Sequence, residues 1–244
     1  MSISPCCAVL IMAVLIMPML IMVVLIMTEA ALVLALDTST VVNVGLARGD
    51  RVLATATVAD QMAHVEQLMP LVSECLDAAG AQVSDLEQVV VGLGPGPFTG
   101  LRVGVVTAQV LGQVLGLGLR GVCSLDVVAA QFAGASSAEF VVATDARRRE
   151  VYWARYSSDG IRIGDPRVSQ PGEVPRLATI GPAADLYPDQ LEAVPGPRSI
   201  DPAVLASRGA SLPDVGTEPL YLRHPDATEL TRPKSVLHYP GVRR

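Results

Sequence analysis

A strand–aspartate–hairpin pattern occurs twice in this chain of 244 residues and restricts its fold more than any other feature. The apolar run 31–36 ends at Asp37 and is followed by two strand-like segments joined by an Arg-Gly-Asp turn. The run 140–144 ends at Asp145 and is followed by strand-like segment 151–156, a turn and another strand. Because a sheet must bury its apolar faces under other elements, this repetition predicts two related α/β lobes.

Two helices are expected between the copies of this pattern. Apolar residues recur every three or four positions from His64 to Ala79, and Gly80 is a suitable C-cap. The second helix, Leu101–Leu117, has Arg102 as its only charged residue. A helix that is apolar all round must be covered on more than one side. This helix is therefore either the centre of its own lobe or a face for a partner, and the sequence leaves both alternatives open.

Small residues recur every fourth position along the second helix, at Gly104, Ala108, Gly112 and Gly116. Such a smooth ridge allows close approach of another element, and in a soluble protein that element is usually a helix. Since glycine weakens a helix, packing against the ridge must compensate.

The N-terminal segment accounts for much of the chain's hydrophobicity. Residues 1–26 carry no charge and are almost all apolar, and the run 8–27 is long enough to cross a bilayer. No basic residue precedes Arg48, so the segment lacks the basic region of a signal peptide and any orientation signal. Three interpretations stay open: a membrane anchor, a signal peptide, or a dispensable extension with translation starting at Met27. The extension is favoured.

Composition excludes several functional sites. The net charge of −6 argues against a large autonomous nucleic-acid surface. No glycine is followed by lysine, which excludes a Walker A loop, and no Gly-x-Ser-x-Gly nucleophile elbow occurs. The three histidines, His64, His224 and His238, do not form a metal-binding cluster, so no metal ligand is predicted. Outside the extension, Cys75 and Cys123 are expected to be buried thiols in a reducing compartment.

Two segments are candidates for contact with a phosphate. Asp37 and Asp145 could meet across a cleft and bind Mg²⁺–phosphate, or each could cap a turn. The glycine loop 92–100 leads into a helix with Arg102 in its first turn, which favours an anion. Two prolines remove N–H donors from this loop, so a rigid structural corner is an equal alternative. The candidate nucleotide- or phosphate-proximal residues are Asp37, Thr38, Ser39, Gly94, Gly96, Thr99, Gly100, Arg102 and Asp145.

Three consecutive arginines, Arg147, Arg148 and Arg149, follow the second aspartate. Arginine side chains in such a cluster could contact RNA phosphates. The alternative interpretation, a solvated lead-in to the next hairpin, is the favoured one.

Four segments together resemble one known family. They are LALDTS at 34–39, GLGPGPFTGLRVG at 92–104, DAR with EVYWA within 145–154, and PLYLR at 219–223. They resemble the TsaB family, formerly YeaZ, whose members are partner proteins in threonylcarbamoyladenosine modification of tRNA. The resemblance covers about residues 31–223 in the right order. The extension has no counterpart in it.

The resemblance implies a two-lobed actin/Hsp70-like fold, that is, an ASKHA fold with a duplicated RNase H-like unit. We expect an extension at 1–27 outside the fold, an N-terminal lobe at 28–132, a C-terminal lobe at 133–223 and a flexible tail at 224–244. The family implies a cytoplasmic, non-catalytic scaffold that heterodimerises with the catalytic subunit TsaD and acts with the ATPase TsaE. ATP and Mg²⁺ are used by the wider complex, and no cofactor is expected on this chain.

The family also implies where the partner binds. TsaD carries a His-x-x-x-His metal motif, which is absent here because Leu68 stands four positions after His64. No catalytic residue is therefore expected, contact with tRNA is expected to be indirect or weak, and a homodimer is expected when TsaD is missing. The expected interface residues lie on the two helices: Leu68, Val72, Cys75, Leu76, Gly104, Ala108, Gly112 and Gly116.

Two alternative functions are carried forward. The first is a free-standing ASKHA-type phosphotransferase or ATPase that uses Asp37, Asp145 and the glycine loop. The second is a peptidase, for which the sequence offers no readable pair of nucleophile and base.

Overall fold

The computed structural model of the protein describes residues 30–58 and 64–223. Two five-stranded sheets and five α-helices make up this part of the chain. The predicted extension at 1–27 and the predicted tail at 224–244 lie outside the described residues.

The first sheet consists of β1 (Leu32–Asp37), β2 (Val42–Arg48), β3 (Arg51–Val58), β4 (Gln88–Gly92) and β5 (Gly118–Val122). Their spatial order is β3-β2-β1-β4-β5. β1, β2 and β3 form an antiparallel meander, whereas β4 pairs parallel to β1 and β5 pairs parallel to β4. All six residues of β1 are buried, because both faces of the sheet are covered.

The second sheet consists of β6 (Phe140–Asp145), β7 (Val151–Tyr156), β8 (Arg162–Ser169), β9 (Ala178–Ile180) and β10 (Glu192–Ala193). Its order, β10-β9-β6-β7-β8, repeats the first sheet strand for strand. β6, β7 and β8 form the antiparallel meander, and β9 and β10 are the parallel additions. This repetition confirms the predicted duplicated, two-lobed α/β architecture.

The helices are α1 (His64–Ala79), α2 (Phe98–Leu115), α3 (Ser124–Phe132), α4 (Ala183–Leu186) and α5 (Pro202–Arg208). α1 has the predicted bounds, and it covers one face of the first sheet together with α2. α2 begins earlier than expected, because Pro97 serves as its N-cap residue. It ends before Gly116, whose φ of 67° is left-handed and therefore terminates the helix.

Helices α3 and α5 join the two lobes, because each packs on the sheet of the opposite half of the chain. α3 packs on β6 and β7, whereas α5 packs on β1, β2 and β3. A Cβ at Gly45 of β2 would overlap the carbonyl oxygen of Pro202, so glycine allows α5 to approach the sheet closely. The expected division into lobes 28–132 and 133–223 is therefore wrong for these two helices. The strand-like composition of segment 218–223 also predicts a last strand, which is wrong because this segment has no strand pairing.

By length and composition, α2 is the one helix among the described residues that could cross a membrane. It packs instead on the first sheet, as the core helix of a folded lobe does.

Most of the residues expected at a partner interface lie in the core of the first lobe. Leu68, Val72, Cys75, Leu76, Gly104, Ala108 and Gly112 are buried, whereas Gly116 is exposed. A Cβ at Gly104 would overlap Thr38 Oγ1, so the small-residue ridge allows close approach to the first sheet and its following turn. The residue-level interface prediction is wrong for these seven buried residues, because a helix with a single charged residue gives little indication of its solvent-facing side.

Replacing Gly104 with alanine is expected to lower the free energy of unfolding by about 2 kcal/mol. The added methyl group would displace Thr38 Oγ1, which donates to Gly100 O and accepts from Gly104 N. Urea unfolding followed by circular dichroism would measure the change.

Gly112→Ala is the matched control on the same helix. Its Cβ would meet its nearest neighbours, Leu117 O and Leu119 Cβ, at an ordinary 3.6 Å. Because alanine favours helix, we expect unchanged or higher stability, by up to about 1 kcal/mol. Equal stability of Gly104→Ala and Gly112→Ala would contradict the close packing of the ridge on Thr38.

Candidate functional site

Asp37, at the end of β1, is fully buried, and its carboxylate accepts hydrogen bonds from other residues of the protein. Its Oδ1 accepts hydrogen bonds from Ser39 N at 2.8 Å and from Ser39 Oγ at 2.7 Å. Its Oδ2 accepts from Ser124 Oγ, at 2.5 Å. A Cβ at Gly92 would overlap the carboxylate, so glycine at the end of β4 is required by this arrangement. The geometry is that of a turn cap, one of the two predicted roles of this residue.

The glycine loop is tied to the same network. Ser124 Oγ accepts from Gly94 N at 3.0 Å, and Ser124 N donates to Gly94 O at 2.8 Å. A Cβ at Gly96 would lie 2.5 Å from Ser39 O, so the loop lies directly against the turn after β1. The Gly94 N–H is used inside the protein, as the structural-corner interpretation requires.

Thr38 connects this corner to α2. Its Oγ1 donates to Gly100 O at 2.8 Å and accepts from Gly104 N at 3.1 Å. One buried hydroxyl thus fixes the first turn of α2 to the end of β1. Thr38 and Gly100 are both buried and do not face a ligand site.

Asp145, at the end of β6, occupies the position in the second lobe that corresponds to Asp37. It is more exposed, and its carboxylate accepts from Arg147 N at 3.0 Å and lies 3.7 Å from Arg147 Nη1. It lines a cleft between the lobes together with Ser39, Thr40 and Arg198. Asp37 is not among the cleft residues, so the predicted meeting of the two carboxylates across the cleft does not occur.

A groove lies beside this cleft and has Thr99 in its lining. Thr99 and Phe98 form one wall, whereas Arg147, Arg148 and Arg223 form the other. Arg102 lies on the outer surface, where its Nε donates to Tyr221 OH at 2.9 Å. Of the nine candidate residues, Ser39, Thr99 and Asp145 line the cleft or the groove.

Comparison with known proteins supplies the family. A family model described as TsaD, tRNA N6-adenosine threonylcarbamoyltransferase, matches residues 53–196. An uncharacterized protein of Mycobacterium tuberculosis is 41% identical over 208 residues, which cover 83% of this chain and 96% of that protein. The tRNA threonylcarbamoyladenosine biosynthesis protein TsaB of Escherichia coli is 35% identical over 129 residues, or 52% of this chain. The chain belongs to the TsaB (YeaZ) family. Its alignment with the E. coli protein spans 55% of that protein's length.

A solved structure supports the same family through the fold. YeaZ of Pseudomonas aeruginosa superposes with a TM-score of 0.65 at 26% identity. The superposition covers 79% of this chain and all of that chain, 100%. Together with the duplicated sheets, this establishes the ASKHA-type fold that the sequence predicted.

In this TsaB-family chain, the residue that sequence reasoning missed is Ser124. Its hydroxyl joins Asp37 to the glycine loop, although it lies 87 positions from Asp37 along the chain. A serine after a short apolar strand carries no local signal of this role. Tyr221 belongs to the PLYLR motif at 219–223, but the motif does not indicate its contact with Arg102, which likewise joins distant parts of the chain.

A second buried charge holds α3 on the second sheet. Asp126 Oδ1 accepts from Tyr156 OH at 2.8 Å and lies 3.2 Å from Arg162 Nε. Burial raises the pKa of Asp126 above its ordinary value, although Arg162 and Tyr156 act in the opposite direction. Burial also raises the pKa of Tyr156. Asp126, Tyr156 and Arg162 therefore contact one another and connect α3 to the second sheet.

The described cysteines are poorly suited to nucleophilic catalysis. Burial, with a smaller contribution from Glu74, raises the pKa of Cys75 to about 11. Burial and the nearby Asp126 raise the pKa of Cys123 to about 12. Because the thiolate is the reactive form, neither thiol is activated at neutral pH. Among residues 30–58 and 64–223, no group of three or more His, Cys, Asp and Glu side chains is placed to hold a metal ion.

Asp37→Asn is expected to lower the free energy of unfolding by about 2 kcal/mol, since an amide cannot accept hydrogen bonds at both of its polar atoms. Asp50→Asn, at the exposed turn between β2 and β3, is the matched control and should leave stability unchanged. Urea unfolding measures both variants. A fully stable Asp37→Asn protein would contradict the structural role of this carboxylate.

Cys75 and Cys123 are expected to resist Ellman's reagent at pH 8 in the native protein and to react after unfolding in urea. Because their raised pKa values keep them protonated, native labelling should be at least about tenfold slower than unfolded labelling. A Cys6→Ser/Cys7→Ser variant confines the measurement to these two thiols. Rapid native labelling of either one would show that it is an accessible thiolate.

Proposed function

We propose that this chain is a non-catalytic subunit in the synthesis of threonylcarbamoyladenosine in tRNA, and that it heterodimerises with a TsaD-like catalytic paralogue. Its relatives support the pathway, since the E. coli relative is named a tRNA threonylcarbamoyladenosine biosynthesis protein and the matching family model describes the transferase. The geometry of the first lobe supports a scaffold role.

The main observation in support of a non-catalytic role is that hydrogen bonds within the protein occupy both carboxylate oxygens of Asp37. A carboxylate that holds Mg²⁺ with a nucleotide must present an oxygen to the ligand. Asp37 is fully buried, and both of its oxygens accept hydrogen bonds from the turn after β1 and from α3. Within this proposal, ATP and Mg²⁺ are used by the paralogue and by a TsaE-like ATPase. The free-standing phosphotransferase has no comparable observation in its favour.

The peptidase alternative is equally unsupported by the described side chains. A P. aeruginosa relative of known structure is named for its similarity to the peptidase YeaZ, at 27% identity. In this chain, Cys75 and Cys123 are buried and protonated, so neither offers the thiolate that a cysteine peptidase requires.

The proposed partner surface is the outward side of α2. Val106, Val110 and Val114 lie one helical turn apart and are 53%, 51% and 75% exposed. Met69 on the neighbouring α1 is 46% exposed. An apolar stripe of this size on a folded lobe is typical of a protein-binding surface. These residues replace the buried residues expected from the sequence, while the two helices remain the proposed interface.

This surface also accounts for self-association. A homodimer that uses the stripe would cover the same apolar area when the paralogue is absent, because isologous contacts bring one face against itself. The paralogue and the second copy would then compete for one surface.

A Val110→Glu/Val114→Glu variant is expected to weaken binding to the TsaD-like paralogue by about 100-fold, since two apolar contacts would be replaced by buried charge. Calorimetric titration of the purified paralogue into this chain measures the affinity. Sedimentation of the chain alone should show a parallel loss of any homodimer.

Ile161→Glu is the matched control. Ile161 lies between β7 and β8, is 66% exposed, and is also apolar. We expect wild-type affinity from this variant and native circular dichroism from both. A double variant that binds the paralogue as tightly as wild type would refute the α2 interface, and a wild-type chain that fails to bind the paralogue would refute the scaffold role.

A further inference from the structure

We propose that the groove at the mouth of the cleft binds an unpaired segment of RNA, with Arg147, Arg148 and Arg149 contacting phosphates and the Phe98–Tyr221 pair supporting a base. This inference rests on the proposed function. It adds a direct contact between this chain and the RNA substrate. The partner would be an RNA loop rather than a duplex.

The first observation is the conformation of the three arginines, here called the arginine turn. All three have left-handed backbone angles, with φ values of 62°, 56° and 62°. Side chains other than glycine rarely adopt this region, and three in succession carry a cost in free energy. Strain held in this way is found most often where function requires a particular geometry.

The surrounding structure holds the arginine turn in place. Ala146 N donates to Glu150 O at 2.9 Å, and Glu150 N donates to Arg147 O at 3.0 Å. Arg223 forms an ion pair with Glu150 and approaches Arg147 O at 3.4 Å. The turn is thus braced from both ends, and its three arginine side chains are exposed.

The charge of this surface is opposite to that of the whole chain. The protein has a net charge of −6, yet Arg147, Arg148 and Arg223 line one groove. Arg149 is the next exposed residue of the turn, and Arg102 contacts Tyr221, which stacks on Phe98 of the groove wall. The two carboxylates beside the turn are occupied, Asp145 by Arg147 and Glu150 by Arg223. The groove is therefore locally basic, and guanidinium groups suit the planar, two-point recognition of phosphate oxygens.

Aromatic rings on the opposite wall distinguish this surface from a simple phosphate site. The rings of Phe98 and Tyr221 are stacked with centroids 4.7 Å apart, and Tyr221 is 39% exposed. The Arg102 guanidinium carbon lies 5.8 Å from the Phe98 centroid and 5.7 Å from the Tyr221 centroid. Unpaired bases stack on aromatic rings and guanidinium planes, whereas bases inside a duplex are not available. Cations that line the groove, with an exposed Tyr221 ring stacked on Phe98 of its wall, therefore favour an RNA loop.

The test uses the full chain and two fluorescein-labelled RNAs of equal charge, a short hairpin with an unpaired loop and a blunt-ended duplex. Fluorescence anisotropy measures binding over a series of salt concentrations. We expect tighter binding of the hairpin than of the duplex. Arg147→Asn/Arg148→Asn/Arg149→Asn should weaken hairpin binding by at least about tenfold and lower the slope of log K against log salt by about 2. Asparagine is chosen because it tolerates the left-handed backbone.

Three controls separate this site from general charge effects. Arg51→Asn/Arg176→Asn/Arg208→Asn makes the same charge change at exposed positions in other elements and should bind the hairpin nearly as wild type does. Tyr221→Ala should weaken hairpin binding and leave duplex binding unchanged. Replacing the arginine turn with three lysines should keep the salt slope while losing part of the affinity, because lysine keeps the charge without the fork of donors.

Equal effects of the two asparagine triple variants, equal binding of hairpin and duplex, or full competition by polyglutamate would each overturn the RNA site. The outcome is distinguishable from failure of the proposed function. If the chain binds its TsaD-like paralogue but not the hairpin, this inference fails alone. If it binds the hairpin through the arginine turn but not the paralogue, the scaffold role fails and the RNA site stands.

Discussion

The buried carboxylate of Asp37 is the interaction on which the rest of this fold depends. It ends β1, caps the following turn through Ser39, and reaches the N-terminus of α3 through Ser124. Ser124 in turn fixes Gly94 of the glycine loop. One carboxyl group, fully removed from water, therefore accepts hydrogen bonds from two separate segments, and a third segment is fixed through Ser124. Since an unpaired buried charge is very unfavourable, these segments must assemble together.

Asp145 occupies the same position in the second lobe as Asp37 does in the first, but its surroundings differ. Asp145 also ends a central strand and also bonds to the backbone two residues later. Asp145 lines the cleft and pairs there with Arg147, whereas Asp37 is enclosed by Ser124 and Gly92. The duplicated fold thus has one carboxylate used for structure and one that faces the groove. This asymmetry agrees with a chain that presents surfaces to partners rather than closing on a nucleotide between two equivalent aspartates.

Sequence patterns predicted the features that depend on local periodicity. The strand–aspartate–hairpin repeat predicted both sheets, and the apolar spacing predicted α1 with its observed bounds. Sequence patterns did not predict the features that depend on contacts between distant segments of the chain. The packing of α5 on the first sheet depends on the close approach of Pro202 to Gly45, which nothing near Gly45 in the sequence signals. On α2, the small-residue ridge was expected to face a partner because it is smooth, whereas it packs inside the first lobe and the exposed side carries valines. Of the candidate site residues, the sequence could find the aspartates and the loop, but not the hydroxyl of Ser124 that joins them.

The segment after α5 explains why the two walls of the groove stay together. Val215 N donates to Gly121 O and Leu220 N donates to Leu93 O, which attaches this segment to the first sheet and the glycine loop. Tyr221 then stacks on Phe98 of α2, and Arg223 pairs with Glu150 of the second lobe. Two neighbouring side chains of one segment therefore contact opposite lobes. With α3 and α5 each packed on the sheet of the opposite half, opening the cleft would break the Arg223–Glu150 pair and disturb the packing of these helices. The fold therefore favours a fixed arrangement of the lobes, in which the exposed stripe of α2 and the basic groove keep a constant separation and orientation.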